Sequence, residues 1–413
     1  MRILFVTQWF EPEPAFKGVN FAAALKARGH DVEVVTAFPN YPGGKLYPGY
    51  RIRPYRQETM MGVVVHRLAI WPSHDRSSIG RIVNYLSFFA SVLSFGLLRG
   101  GRYDLVYVYH PPIMPAAAAA IFCRLYKRPL VVEIQDLWPD SVAASGMAGG
   151  RITALLGRLC DFVYRRAARI IPQSDRMRDR LLERGVPVTK LRRIYNWSTY
   201  SPAANGGCLP AAIKDVFEGR FNIVYGGNLG QAQALDSLID AAALASARHP
   251  SMHLHLFGDG IERAALTAYA ERIAPCNVTL HGPVDRRGMD RIFDRADVLA
   301  VQLKDDALYT ITIPSKVQHY LACGRPIVAG LSGEAADLLH ASGAAILCPP
   351  QDVPAMAEAI CRIVTMTPPE RAEMGARGRQ YYEVSMGFER ALDETIDVIV
   401  DAADCYTFGK GKI

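Results

Sequence analysis

The sequence predicts an α/β protein made of two doubly wound domains. Short β-branched runs alternate with longer helical stretches along nearly the whole chain. Many of the runs, such as ILFV and LVYVY, are apolar without a break, as strands buried on both faces of a parallel sheet must be. A stretch rich in proline, glycine and small residues, SPAANGGCLPAAIK at Ser201–Lys214, separates two such sets, and a fresh strand opens at Phe221.

In the first set the predicted strands are Arg2–Thr7, Asp31–Thr36, Val63–Leu68, Asp104–Tyr109, Leu130–Ile134 and Arg169–Pro172. In the second they are Phe221–Tyr225, Met252–Phe257, Asn277–Leu280, Asp297–Leu303, Pro326–Ala329 and Ala344–Leu347. Helices between them imply parallel pairing throughout. The domains are placed at 1–203 and 204–385. Phe388–Ala402 is helical with no strand after it, so residues 386–413 must pack onto existing structure.

A length of 413 residues suits two cores better than one. With 50% apolar and 21% charged residues the balance is that of a globular chain, and glycine and proline keep no fixed period that would signal a solenoid. The apolar run after Met1-Arg2 is too short for a signal peptide and reads as a strand. None of the cysteines forms a C-x-x-C pair or stands beside histidines at metal-site spacing, the pattern of reduced thiols in a cytoplasmic protein.

Charge and hydropathy single out two regions. Twelve Lys/Arg and four acids lie between Arg151 and Arg193, a basic surplus that suits anionic lipid or a phosphorylated substrate as well as a plain solvated face. No helix-turn-helix, zinc-finger or RNP-like motif accompanies it, so nucleic acid is not an expected partner. From Ile82 to Leu98, seventeen residues carry no charge and are flanked by Arg76, Arg81, Arg99 and Arg102. A span needs about twenty residues and would put the flanking strands on opposite sides of a membrane. A buried core helix and a helix lying in the membrane interface both fit; peripheral attachment on the inner face of the cytoplasmic membrane is the favoured expectation.

In open α/β sheets ligands bind beyond the carboxyl ends of the strands, so the residues there are the candidates. After Tyr225 come Gly226, Gly227, Asn228, Leu229 and Gly230, then a helix; such a turn lets the backbone approach a diphosphate, or is simply tight. Gly258, Asp259 and Gly260 form a similar turn. In IPSKVQHYLACGRP, Ser315 is expected to cap a helix, and Lys316 falls in its first turn, where a cation is unfavourable unless an anion lies near. In the first domain His110 closes a strand before Pro111-Pro112, and the next strand runs into Glu133, Asp136, Trp138 and Asp140. The Gln8–Gly18 loop holds Glu11, Glu13 and Lys17, and Gly18 opens a helix that offers another anion or sugar contact.

Taken together, RGHDVEVVT at 28–36, EIQDLWPDS at 133–141, GGNLGQAQAL at 226–235, FGDG at 257–260 and IPSKVQHYLACGRPIVAG at 313–330 resemble the retaining glycosyltransferases of family 4, in the branch of colanic-acid, capsule and O-antigen (lipopolysaccharide) assembly. The resemblance implies the GT-B fold, two Rossmann-like domains facing a central cleft. It implies an acceptor on the first domain, a nucleotide-sugar donor on the second, and a last helix that returns to the first. His110 matches the histidine that contacts the transferred sugar, and Gly18 the loop near the donor diphosphate. The chain departs from the family twice. An Arg and a Lys five residues apart after the second-domain turn are replaced by Asn228, Gln231 and Gln233, and His319 stands where a ribose-binding glutamate would fall.

Lys316 could then neutralise the diphosphate, with Glu133, Asp136 or Asp140 orienting an acceptor hydroxyl. Retention would follow from front-side attack, with the leaving phosphate taking the acceptor's proton. No D-x-D tripeptide is present, so no metal or other cofactor is expected. The family suggests UDP; the apolar segment and basic patch favour a lipid-linked saccharide acceptor over a soluble one, for hexosyl or N-acetylhexosaminyl transfer. A sugar-nucleotide 2-epimerase of the same fold and a non-catalytic nucleotide-sugar-binding protein are the rival readings. A dehydrogenase lacks its G-x-G-x-x-G and following acid.

Overall fold

The computed structural model describes residues 1–73, 78–110, 112–144, 150–200, 211–274 and 276–408. Two compact units form, one of Met1–Ile194 with Ala391–Ile413 and one of Tyr195–Arg390. The division falls ahead of the Pro/Gly-rich segment in which the sequence places it; residues 201–210 of that segment lie outside the described residues.

The strands of the first unit are β1 (Arg2–Thr7), β2 (Asp31–Ala37), β3 (Tyr55–Met60), β4 (Val63–Leu68), β5 (Leu105–His110), β6 (Leu130–Ile134) and β7 (Arg169–Pro172). They form a seven-stranded sheet in the order β3-β4-β2-β1-β5-β6-β7. Those of the second are β8 (Phe221–Gly226), β9 (Met252–Phe257), β10 (Val278–Gly282), β11 (Val298–Gln302), β12 (Ile327–Gly330) and β13 (Ala345–Cys348), in the order β10-β9-β8-β11-β12-β13. Central strands are buried along nearly their whole length, whereas the edges β10 and β13 are mostly half-buried. Strand order reverses between β1 and β5 in one sheet and between β8 and β11 in the other. At such reversals the flanking crossovers diverge and open a crevice at the carboxyl edge.

One strand departs from the expected parallel pattern. β3 pairs antiparallel with β4 through Met61-Gly62, both at positive φ (47° and 76°), a two-residue hairpin turn that follows the strand twist. Its sequence, YRQETM, alternates exposed and half-exposed residues at the sheet edge and so lacks the apolar run that marks the others.

The apolar segment lies in one helix, Ser78–Arg99, which is neither a wholly buried core helix nor free of the fold. Asn84, Phe88, Val92 and Phe95, at helical spacing, are buried. Gly96 lies so close to Phe122 of helix Ile113–Tyr126 that an added Cβ would come within 2.0 Å of its ring. The other face keeps Ile82, Val83, Leu86, Leu97 and Leu98 exposed. By length and composition the Gly80–Arg102 stretch could cross a membrane, and only 28% of its most apolar window is buried. At the far end of the chain, Arg169 of β7 holds Asp401 of the final helix at 2.6 Å within the first unit.

The second unit buries a file of histidines. Arg220 only donates, so His253 Nδ1, 2.7 Å away, accepts and its Nε2–H goes to Thr279 Oγ1 at 2.8 Å. Asn222 Oδ1 only accepts, so His255 carries its proton on Nε2, and its Nδ1 takes one from His281 Nε2 at 3.0 Å. Desolvation lowers His253 and His281 to about 4 and His255 to about 2. The folded unit therefore keeps them neutral while an unfolded chain takes up protons below about pH 6.5, so stability falls as pH drops through that value. Each histidine contributes at most about 1.4 kcal/mol per pH unit, less for the half-exposed His281. The thermal midpoint should therefore fall between pH 7 and pH 5, and more shallowly in His281→Gln; an unchanged midpoint over that range would refute the neutral file.

Candidate functional site

In the second unit the chemistry gathers at the carboxyl ends of β8 and β9. The two glycine turns there lie on each other. Gly227 donates to Phe257 O at 2.9 Å, Leu229 to Asp259 O at 2.9 Å, and Glu262 to Leu229 O at 3.0 Å. Gly258, at φ +137°, brings its Cα against Gly227 O, where a Cβ would stand at 1.8 Å, and Gly260 meets Leu229 O in the same way. Gly226 is a packing glycine: its N–H donates to Tyr320 Oη at 3.0 Å, and a Cβ would press on Phe293. Glycine is thus needed first for contact between turns, where the sequence suggested approach to an anion.

The following helix does not start at once. A 3-10 turn, Gln231–Gln233, follows Gly230, and Ala234 sits in the left-handed region at φ 44° before helix Leu235–Arg248 begins. An alanine there is strained by roughly 1–2 kcal/mol. Its carbonyl accepts from Gln302 Nε2 at 2.8 Å and from Ser237 Oγ at 2.8 Å, which hold the turn beside the β8/β11 reversal. Asn228 and Asp259 are exposed on the rim, Asp259 accepting from the N–H of Gly260 at 2.9 Å.

Lys316 reaches into this corner. Its ammonium donates to Gln233 Oε1 at 2.8 Å, stands 4.9 Å from the centre of the Tyr225 ring, and lies against Gly227, whose Cβ would be 2.5 Å from Lys316 Cε. Among the described residues no carboxylate pairs with it, and desolvation lowers its pKa to about 8. Gln233 and Tyr225 are the site residues sequence reasoning missed. The only signal was that Gln233 stands where the resembling proteins carry a cation.

The helix that carries Lys316 also carries Ser315 and His319. Ser315 does not cap its helix: Pro314 holds the N-cap position with extended ψ (137°), and Ser315 is the first helical residue, with its side chain exposed. His319 is half-buried, 3.2 Å from Asp290 Oδ1 and 3.2 Å from Ser198 Oγ, with Phe293 and Tyr200 edge-on.

In the first unit the loops after β1, β2 and β6 meet at the carboxyl edge. Glu13 is buried and accepts backbone N–H groups of Phe10, Asn40 and Tyr41 at 3.2, 2.5 and 2.6 Å, tying the first two loops together. Burial pushes its pKa up against those bonds. Fully buried Arg67 adds bonds to Glu11 O and to Ala37 O. The result is a stacked pair of half-exposed rings, Trp9 on Tyr41, with centroids 4.5 Å apart.

The three acids after β6 divide by environment. Glu133 is buried and engaged by Lys17 Nζ and Tyr107 Oη, so it anchors the loop that precedes Gly18 and presents no open carboxylate. Asp140 pairs with Arg184 at 2.6 Å. Asp136 is exposed at the rim, and no hydrogen bond or ion pair among the described residues engages its carboxylate. Desolvation by its surroundings nonetheless raises its pKa. His110 closes β5 opposite Ile134; its side chain lies outside the described residues. Gly18 caps helix Val19–Ala27 as expected, but the anion there is internal: Glu11 Oε2 accepts from Val19 N at 2.9 Å and fills the space a Cβ would need. No group of three or more His, Cys, Asp or Glu among the described residues is placed to hold a metal ion.

Comparison with known proteins follows this division. Residues 19–197 match the family model described as glycosyl transferase 4-like domain, and residues 220–366 the one described as glycosyl transferases group 1. The chain is 24% identical over 389 residues to WcaI of Escherichia coli (strain K12), named as a colanic acid biosynthesis glycosyl transferase, across 91% of this chain and 93% of that protein. Anabaena Alr3699/HepE, solved in complex with UDP, superposes with a TM-score of 0.68 at 17% identity over 97% of this chain and all of that one. An α,α-trehalose 6-phosphate synthase from Burkholderia multivorans gives a TM-score of 0.74 at 14% identity, covering 99% and 98% of the two chains. Each of the two units, with its own largely parallel sheet, matches a glycosyl transferase domain model, and the fold is the two-domain GT-B fold.

Proposed function

We propose that the protein transfers a hexosyl or N-acetylhexosaminyl group, with retention, from a UDP-sugar to a lipid-linked saccharide in the assembly of a cell-surface polysaccharide such as a capsule or lipopolysaccharide. The observation that carries the donor side is Lys316, a desolvated ammonium beside the exposed Gly227 and Asn228 with no carboxylate partner among the described residues. A diphosphate there supplies the missing counter-charge, and the low local polarity strengthens the attraction when negative charge grows on the leaving phosphate. UDP is favoured because the similar Anabaena protein binds it.

On the acceptor side, Asp136 is the one of the three acids left to orient a hydroxyl, and the Trp9–Tyr41 pair offers an apolar ring face beside polar tips for a sugar to lie on. The leaving phosphate takes the acceptor's proton, so Asp136 aligns the nucleophile without becoming its base. The exposed apolar face of helix Ser78–Arg99 and the arginines of helix Gly150–Arg166 support a place on the inner face of an anionic cytoplasmic membrane. Among the described residues Arg151, Arg158, Arg165 and Arg166 make no ion pair with an acid.

The deciding experiment measures nucleotide release from UDP-, GDP- and dTDP-sugars with and without membrane lipid extract. Release that needs one donor and the extract is expected; donor isomerisation without acceptor would assign an epimerase, and binding without turnover a non-catalytic protein. Lys316→Met should cost about 2–3 kcal/mol in donor kcat/KM, roughly 30- to 150-fold, the scale of a hydrogen bond to a charged group. Because phosphate favours the charged ammonium, UDP affinity should be flat below about pH 8 and fall by up to about tenfold per unit above it. Calorimetry should show proton uptake on binding near pH 8, absent in Lys316→Met. Asp136→Asn should lower acceptor kcat/KM by roughly 10- to 100-fold and leave donor KM unchanged. In the parent enzyme the acceptor term should rise with pH through the raised Asp136 pKa, and in the variant it should not.

A further inference from the structure

Helices Ser78–Arg99 and Gly150–Arg166, both in the first unit, leave an apolar groove of about 260 Å³ between them. Its walls include Ile82, Leu86, Met114, Trp138, Leu155 and Leu159. Ile82, Leu86 and Leu155 are 43%, 49% and 65% exposed, so the groove opens to its surroundings along one side. That volume holds about nine units of roughly 30 Å³, the size of a water and close to that of a methylene group.

Two features state what kind of chain would enter. Arg81 is the single charged residue in the lining, and among the described residues no acid pairs with its guanidinium. A guanidinium without a counter-charge beside an apolar wall favours an anion near it, and exposed Arg151 and Arg158 of the second helix add to the positive field. The groove is also continuous with the acceptor edge. Tyr85 and Trp138, which close it, meet edge to face with centroids 6.0 Å apart. Trp138 donates its backbone N–H to Asp136 O at 3.0 Å, and Tyr85 feels the Asp136 charge.

We infer that this groove takes the hydrocarbon chain of the lipid phosphate that carries the acceptor sugar, with Arg81 on the phosphate and the sugar placed toward Asp136. The inference rests on the lipid-linked acceptor proposed above and adds where the lipid sits. The apolar side of helix Ser78–Arg99 would then be a binding wall as well as a membrane-facing surface. Helix Gly150–Arg166 would supply the opposite wall, with its polar side carrying the arginines.

The test titrates the full-length protein calorimetrically with decyl phosphate, decanol and inorganic phosphate below micelle-forming concentrations. Decyl phosphate should bind one per chain, decanol at least tenfold more weakly, and inorganic phosphate not measurably. Leu155→Glu, at an exposed position that tolerates charge, should weaken decyl phosphate at least tenfold without moving the thermal midpoint or UDP affinity. Arg81→Gln should remove the preference for decyl phosphate over decanol. Equal binding of decyl phosphate by the parent and Leu155→Glu overturns the inference. So does a parent dimer in sedimentation that Leu155→Glu dissociates, which would give the groove to a second copy. Loss of phosphatidylglycerol-vesicle binding alone in Leu155→Glu, with decyl phosphate still bound, likewise overturns it in favour of the bilayer. Sugar transfer to lipid acceptor that is unaffected by Leu155→Glu would sink the groove and leave the proposed function standing. Decyl phosphate binding as expected, with no transfer to any lipid acceptor, would sink that function and leave the groove a lipid phosphate site.

Discussion

Parallel pairing is the constraint from which the rest of this chain follows, because two adjacent parallel strands cannot be joined by a tight turn. Each connection must cross a face of the sheet, and the crossovers cover both faces, so the central strands must be apolar along their length. The same geometry collects one set of loops at the carboxyl edge, where the reversals at β1/β5 and β8/β11 part the crossovers. Lys316, the glycine turns, Asp136 and the Trp9–Tyr41 pair all stand on such edges. β3 escapes the rule only as the outermost strand, where a hairpin is allowed and burial is not required.

Charge is managed differently at the two kinds of place. Where a loop must be held, buried ions are fully partnered: Lys17 with Glu133 and Tyr107, Arg67 with Glu58 and backbone carbonyls, Glu13 with three amides. Removing one member of such a set leaves its partner desolvated and alone, which is why these groups fix position rather than react. Among the described residues Lys316 and Asp136 have no partner of opposite sign, and the surroundings push both pKa values toward the neutral form. A group held in that condition gains most from a ligand that supplies the missing charge or hydrogen bond.

The helix N-termini show the same distinction. At Val19–Ala27 the favourable position for an anion is filled by the chain's own Glu11, while at the second-unit turns the positive charge is a side chain, Lys316, with neutral Gln233 as its contact. The two units thus present different electrostatic surfaces on the same kind of scaffold. Among the described residues, one has a carboxylate without a cationic partner near aromatic rings and the other an ammonium without a carboxylate partner beside a glycine turn.

The sequence by itself determined the strand and helix alternation, the two units and the edges where ligands belong, because burial on both faces of a sheet demands short apolar, β-branched runs bounded by turn residues. It also marked Lys316, through the local conflict of a cation in a first helical turn, and it marked the density of acids after β6. It could not show β3, whose polar edge position leaves no apolar pattern. Nor could it tell Glu133, Asp136 and Asp140 apart, since their difference lies in Lys17, Arg184 and the absence of either at Asp136. Whether Gly258 lies against another turn, what surrounds His319, and which side of an apolar helix is covered depend on residues far away in the chain. Those were decided by tertiary packing, because burial and pairing are properties of what surrounds a side chain and not of the side chain itself.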